Sequence, residues 1–175
     1  MDNQQERFEN RIAWLAGIIE GEGWVTLMKR LVHQKNDKKT ICYTPNIGMT
    51  NSDKIIVDEV RDLFDILGLK YRYQTRIGKV GSDGILRKTR HEISTASSRD
   101  IKTLSKYILP YMIGEKKNRI HRLYEFFQVR ARKGTKGPMS KYGNEEEKIY
   151  KELYSYKGKS RSKILNDYTP NVSMT

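Results

Sequence analysis

One cysteine, four prolines and three histidines in 175 residues close off several kinds of chemistry. A single thiol, Cys42, makes no intrachain disulfide and no cysteine-based zinc site, and in its apolar stretch it reads as a small core side chain. The histidines, His33, His91 and His121, fall in three different elements and lack metal-site spacing. No Gly-rich phosphate loop and no nucleophile motif is present. No apolar run approaches the roughly 18 residues of a membrane-crossing helix. The polar start MDNQQERFEN is wrong for a secretory signal, so an intracellular protein with no membrane partner is expected. Acid is also short: 21 Asp+Glu stand against 34 Lys+Arg, for a net charge of +13 and a pI near 9.7. That imbalance favours a polyanionic partner, of which nucleic acid is the common one.

What remains suffices for one core, with 37% hydrophobic residues and eleven tyrosines. Residues 11–22 set Ile12, Leu15, Ile18 and Ile19 on one helical face, and Gly23 stops the helix. Residues 24–34 and 40–51 read as a hairpin around NDKK, the second strand at a sheet edge because Pro45 has no N–H to donate. Ser52 or Asp53 caps a helix over 54–67, with Ile56, Val60, Leu63, Phe64 and Leu67 inward and Gly68 at its end. Residues 69–78 alternate: Leu69, Tyr71, Tyr73, Thr75 and Ile77 on one face, Lys70, Arg72, Gln74 and Arg76 on the other. A returning strand is expected over 85–97, then helices near 99–109, 115–131 and 144–156, the last after a Gly/Lys-rich stretch at 133–143. Residues 168–175 (YTPNVSMT) nearly repeat 43–50 (YTPNIGMT), without a second copy of the helices between them.

The most informative stretch is Leu15 to Gly23, LAGIIEGEG. Gly17 and Gly21 lie four apart, a spacing that lets another helix approach closely. Each costs roughly 1 kcal/mol relative to alanine within a helix, so two of them want a reason. Glu20 and Glu22 sit at the C-terminal end, the unfavourable end of the dipole for negative charge. Carboxylates there are either solvated or matched by a cation, and a divalent metal with oxygen ligands is a natural candidate.

This stretch resembles the LAGLIDADG motif of homing endonucleases, with both acids lengthened from Asp to Glu. The order helix–hairpin–helix–hairpin–helix over about residues 8–131 resembles that family's core as well. The resemblance implies an α+β fold of αββαββα type, an antiparallel saddle-shaped sheet with helices on one face. The core would span 1–131 and a basic C-terminal extension 132–175. It implies a sequence-specific DNA endonuclease of the intron-homing kind, working beside the host DNA in cytoplasm or organelle matrix. Such an enzyme hydrolyses both strands of a long, near-palindromic site with two metal ions, Mg²⁺ or Mn²⁺. One motif per chain implies a homodimer, joined through Leu15, Gly17, Ile18 and Gly21. Carried over residue by residue, the metal acid is Glu22 with the Gly21 carbonyl, while Glu20 serves the helix end. Asn51 would order the attacking water, and Lys116, with Lys117 in reserve, would stabilise charge.

Duplex DNA would then lie on the basic sheet face. Pleat alternation puts Thr26, Met28, Arg30 and Gln34 there from the first strand, and Thr44, Asn46, Gly48 and Thr50 from the second. The third and fourth strands add Lys70, Arg72, Gln74, Arg76, Lys88, Arg90 and Glu92. Arg, Gln and Asn can pair two ways with base edges in the major groove. Two other functions suit the same fold: an RNA-binding intron maturase, and a non-catalytic DNA-binding regulator, against which the presence of Glu22 counts.

Overall fold

Gly23 lets the first helix pass into the first strand without a loop. A Cβ there would come within 2.7 Å of the Ile19 carbonyl oxygen and 2.8 Å of that of Gly48. In the computed structural model, which describes residues 3–33, 39–133 and 142–155, α1 (Asn3–Glu22) leads directly into β1 (Gly23–His33). Then come β2 (Lys39–Asn51), α2 (Lys54–Ile66), β3 (Arg72–Arg76), β4 (Arg90–Thr95), α3 (Ser98–Ile108), α4 (Glu115–Arg132) and α5 (Asn144–Ser155). A single 3-10 turn, Leu109–Tyr111, joins α3 to the approach to α4. The fold is α+β, as the sequence implies.

α1 starts two turns earlier than its apolar pattern, because Asn3 to Asn10 continue the helix on largely exposed polar side chains. Ile12, Leu15, Ala16 and Ile19 carry its buried stripe. α2 opens on Asp53, whose carboxylate accepts the Ile55 N–H, and buries Val57, Val60, Leu63 and Phe64. Gly68 then takes a left-handed φ of 64°, which glycine adopts without strain.

The sheet is fully antiparallel in the order β1-β2-β4-β3. That order corrects the expectation of β2 at an edge. β4 pairs with β2 only from Ile47 onward, so Pro45 lies where β2 has β1 on one side and no strand on the other. The edge condition of proline is met locally within an interior strand.

The second hairpin is shorter than alternation implies: pairing ends at Arg76 and Arg90. Ile77, expected inward, is 76% exposed because β3 has ended before it. Lys70 precedes β3, and Lys88 lies in the connection before β4.

One sheet face carries Val25, Leu27, Tyr43, Ile47, Met49 and Ile93, all buried against the helices in one core. Each such aliphatic side chain contributes roughly 1.5–3 kcal/mol by leaving water. Ile149 and Leu153 of α5 join that core. Gln34, most of the NDKK turn, most of the Gly/Lys-rich stretch, and the tail with its repeat at 168–175 lie outside the described residues.

Candidate nucleic-acid interface and active site

The cross-strand register decides which side chains share the open face. Thr26 faces Asn46 and Met28 faces Thr44, while Gly48 meets Ser94 and Thr50 meets Glu92. Arg72, Gln74 and Arg76 then line up with Ser94, Glu92 and Arg90. All these residues share one pleat parity, so a single polar face crosses four strands. Met28, Arg30, Thr44, Lys70, Arg72 and Arg76 border a hollow of about 960 Å³ on it.

Two residues of this face, Asn46 and Gly48, present little to solvent there. Asn46 is 9% exposed, and its Oδ1 accepts the indole N–H of Trp24 at 2.5 Å. Gly48 lies beneath the same indole, so that a Cβ on it would come within 2.7 Å of the Trp24 ring. Trp24 and Asn46 therefore form the floor of the hollow. Trp24 has the parity of Thr26 and Met28 and was legible by the same alternation. Arg99, at the start of α3, also borders the hollow; no sequence pattern pointed to it. Glu92 is held by Arg76 at 2.9 Å, and Gln74 accepts from Arg72 at 2.9 Å.

Where α1 ends, a second hollow of about 440 Å³ brings together Glu22, Asn51, Lys88 and Arg90. Glu22 is exposed at the last position of α1. Asn51, the last residue of β2, has its Oδ1 engaged by the Asp53 N–H at 2.9 Å, while its amide nitrogen has no partner among the described residues.

Lys116, in the first turn of α4, donates to the carbonyl oxygens of Glu20 at 2.5 Å and Gly21 at 3.4 Å. The last carbonyls of a helix lack intrahelical partners and attract cations, so this ammonium caps α1 from outside. Burial lowers the Lys116 pKa from its ordinary value; Glu20 and Glu22 oppose that and Arg119 reinforces it. Among the described residues Lys117 makes no such contact. Glu20 turns away from the hollow, with its Oε1 so close to Gly114 that a Cβ there would lie 2.2 Å away. Its Oε2 is buried with no hydrogen-bond partner among the described residues.

The donors at the end of α1, a free carboxylate and a backbone carbonyl, are oxygens suited to a hard divalent cation. Among the described residues no three His, Cys, Asp or Glu side chains cluster as a metal site.

The outer side of α1 is open. Gly17 and Gly21 are exposed, and a Cβ on either would meet nothing within 4 Å. Trp14, one turn before Gly17, is 36% exposed, and Ile18 is half-buried. Leu15 does not belong to this surface: it is 0% exposed, inside the protomer's own core. Its place in the i, i+3, i+4 stripe with Ile12, Ala16 and Ile19 turns it inward. No helix among the described residues is long and apolar enough to cross a membrane.

These features together have the LAGLIDADG homing endonuclease fold. Among solved structures, the chain is similar to the homing endonuclease I-CvuI in complex with its target in the presence of calcium. The two share 13% identity with a TM-score of 0.60, over 89% of this chain and 87% of that one. It is similar to the group I intron-encoded homing endonuclease I-CeuI complexed with DNA, at 15% identity and TM-score 0.58, over 87% and 70% of the chains. The LAGLIDADG homing endonuclease I-GzeII in complex with its DNA target matches at 14% identity and TM-score 0.50. There 90% of this chain is covered and 48% of the other, so the present chain spans about half its length. No protein-family model and no curated protein sequence matches the chain.

Proposed function

We propose that this protein is a metal-dependent, sequence-specific double-strand DNA endonuclease that acts as a homodimer. The observation that carries this is the meeting of Glu22 and Asn51 in one hollow at the end of the open α1, beside the cationic sheet face. The structurally similar I-CvuI and I-CeuI, both solved with DNA, support DNA as the substrate.

In this reading Glu22 and the Gly21 carbonyl hold a divalent metal, Mg²⁺ or Mn²⁺. When bound, the metal supplies an activated water and charge at the leaving oxygen in phosphodiester hydrolysis. Asn51 offers its amide nitrogen to that water. Lys116 brings positive charge to the scissile phosphate from its seat on the end of α1. A second copy, packed glycine against glycine along α1, brings a second Glu22 and completes the donor set. The two-fold axis so created calls for a near-palindromic site. Arg30, Lys70, Arg72, Gln74, Arg76, Lys88 and Arg90 then meet bases and phosphates, with Thr26, Met28 and Thr44 beside the Trp24 floor.

The test is to offer the purified chain a randomised pool of duplexes in plasmid and to sequence what is linearised. One long near-palindromic site cut with Mg²⁺ and spared with EDTA is the expected result. Tight binding without cutting under any divalent metal supports a regulator instead, and preference for structured RNA over duplex a maturase.

A further inference from the structure

The connection between β3 and β4 is a small ordered hairpin of its own. Val80 and Leu86 form an antiparallel bridge. The Gly81 N–H donates to the Ile85 carbonyl at 2.9 Å, and the Arg87 N–H to that of Lys79 at 3.0 Å. Asp83 accepts the Ile85 N–H and pairs with Arg87, while Gly84 supplies the left-handed turn with φ 74°.

This rigid tip holds four aliphatic side chains in solvent: Ile77 76%, Val80 64%, Ile85 56% and Leu86 71% exposed. Single exposed aliphatics are ordinary, but four on one short hairpin mark a contact surface. Ile85 and Leu86 line the same hollow as Glu22 and Asn51. Of the nearby acids Asp83 is paired with Arg87 and Glu92 with Arg76, while Glu22 lines the hollow unpaired, and Lys79, Lys88 and Arg90 form no ion pair among the described residues.

Charge selects the occupant. The same hairpin of a second copy carries the same cations, so two such hairpins repel each other. A polyanion is attracted, and its apolar interior gives the aliphatic groups somewhere to go. Aliphatic side chains that enter a base step from the minor groove, between cations on the flanking phosphates, are a known way of kinking a duplex.

We propose that the 77–89 hairpin is an unstacking wedge for duplex DNA. Ile85 and Leu86 enter a base step beside the Glu22 hollow, with Lys79 and Lys88 on the flanking phosphates. The wedge rests on the nuclease reading for its place on the DNA.

The test uses a duplex of about 40 base pairs, enriched from a random pool by binding to the wild-type chain and labelled with 2-aminopurine at each central step in turn. Stacking quenches this base, so opening a step raises its emission. Wild type is expected to raise emission at one step about threefold or more, as a wedge that unstacks a base step must. An Ile85→Ser/Leu86→Ser variant, with unchanged circular dichroism, is expected to bind within about threefold and give no rise, since the phosphate contacts carry the affinity. Lys79→Ala/Lys88→Ala is expected to weaken binding and flatten its salt dependence while keeping the rise at saturation. The proposal is overturned by an undiminished rise in the serine variant, by no rise in wild type, or by failure of any duplex to enrich. It is equally overturned if the serine variant loses binding to phosphatidylglycerol vesicles while its duplex behaviour is untouched. Cutting of the same duplex with Mg²⁺ is scored separately. A step that opens without cutting keeps the wedge and refutes the nuclease, and cutting without opening does the reverse.

Discussion

Lys116 shows how one side chain ties two helices to one site. Its ammonium sits on the Glu20 and Gly21 carbonyls, and Glu20 in turn presses its carboxylate onto Gly114 at the start of α4. The end of α1 and the start of α4 are therefore held together by the Lys116 hydrogen bonds and by close packing of Glu20 against Gly114. Lys116→Met is expected to lower the cleavage rate about 10²-fold or more, while duplex affinity stays within about threefold. Single-turnover kinetics with a parallel binding titration would check this; equal losses in both would make Lys116 a binding residue only. The motif points to Glu22 and Gly21, and the family resemblance to Lys116, just after Gly114. The low exposure of Asn46 is not legible in alternation, which gives parity but not neighbours: the Trp24 indole reaches it from the adjacent strand, and that depends on register. The engagement of Asn51 by Asp53 was hidden for a similar reason, since it belongs to the turn into α2 and not to the strand.

Among the elements, α1 and α5 make opposite demands on their surfaces. α1 leaves Gly17 with no atom near a would-be Cβ. In the separated protomer Gly17→Leu should fold at least as stably, because it removes a helical glycine worth roughly 1 kcal/mol. In the proposed dimer the new side chain keeps the two helices apart. Sedimentation velocity should find the variant monomeric with an unchanged or higher melting temperature; a dimer of undiminished affinity would contradict the α1 interface. α5 is anchored by Glu146, fully buried between Arg130 at 3.3 Å, Lys133 at 2.7 Å and the Gly143 N–H at 2.9 Å. Burial works to raise its pKa, and these donors overcome that and hold it below the ordinary glutamate value. A lowered folded-state pKa means stabilisation that is present above the ordinary carboxylate range and lost as pH falls through it toward the folded value. Glu146→Gln is expected to cost about 2 kcal/mol near pH 7, less than a wholly buried pair because Lys133 keeps some water. The gap in melting temperature should narrow as the pH drops to about 3; a gap independent of pH would contradict the ion-pair account. The helices were legible because caps and periodicity are local: Asp53 and Gly68 mark boundaries near where they fall. The short β3–β4 pair was not, since residues such as Ile77 and Ile85 look like strand residues until the partner strand is known to end.

At the scale of the molecule, shared parity across four strands turns a diffuse surplus of lysine and arginine into one directed surface. Glu22 stands at its margin, with α1 open beyond it. The net charge of +13 points to a polyanion, while the register gathers the basic side chains of β3 and β4 on one face. The central claim is that Glu22 holds the metal which cuts DNA and is dispensable for binding it. The most direct measurement follows supercoiled plasmid bearing the selected site, with wild type and Glu22→Gln under Mg²⁺ and a gel-shift titration alongside. The account predicts linear product from wild type, and from the variant a cleavage rate lower by about 10³-fold or more with a shifted band at similar protein concentration. Linear product from Glu22→Gln at the wild-type rate would contradict it.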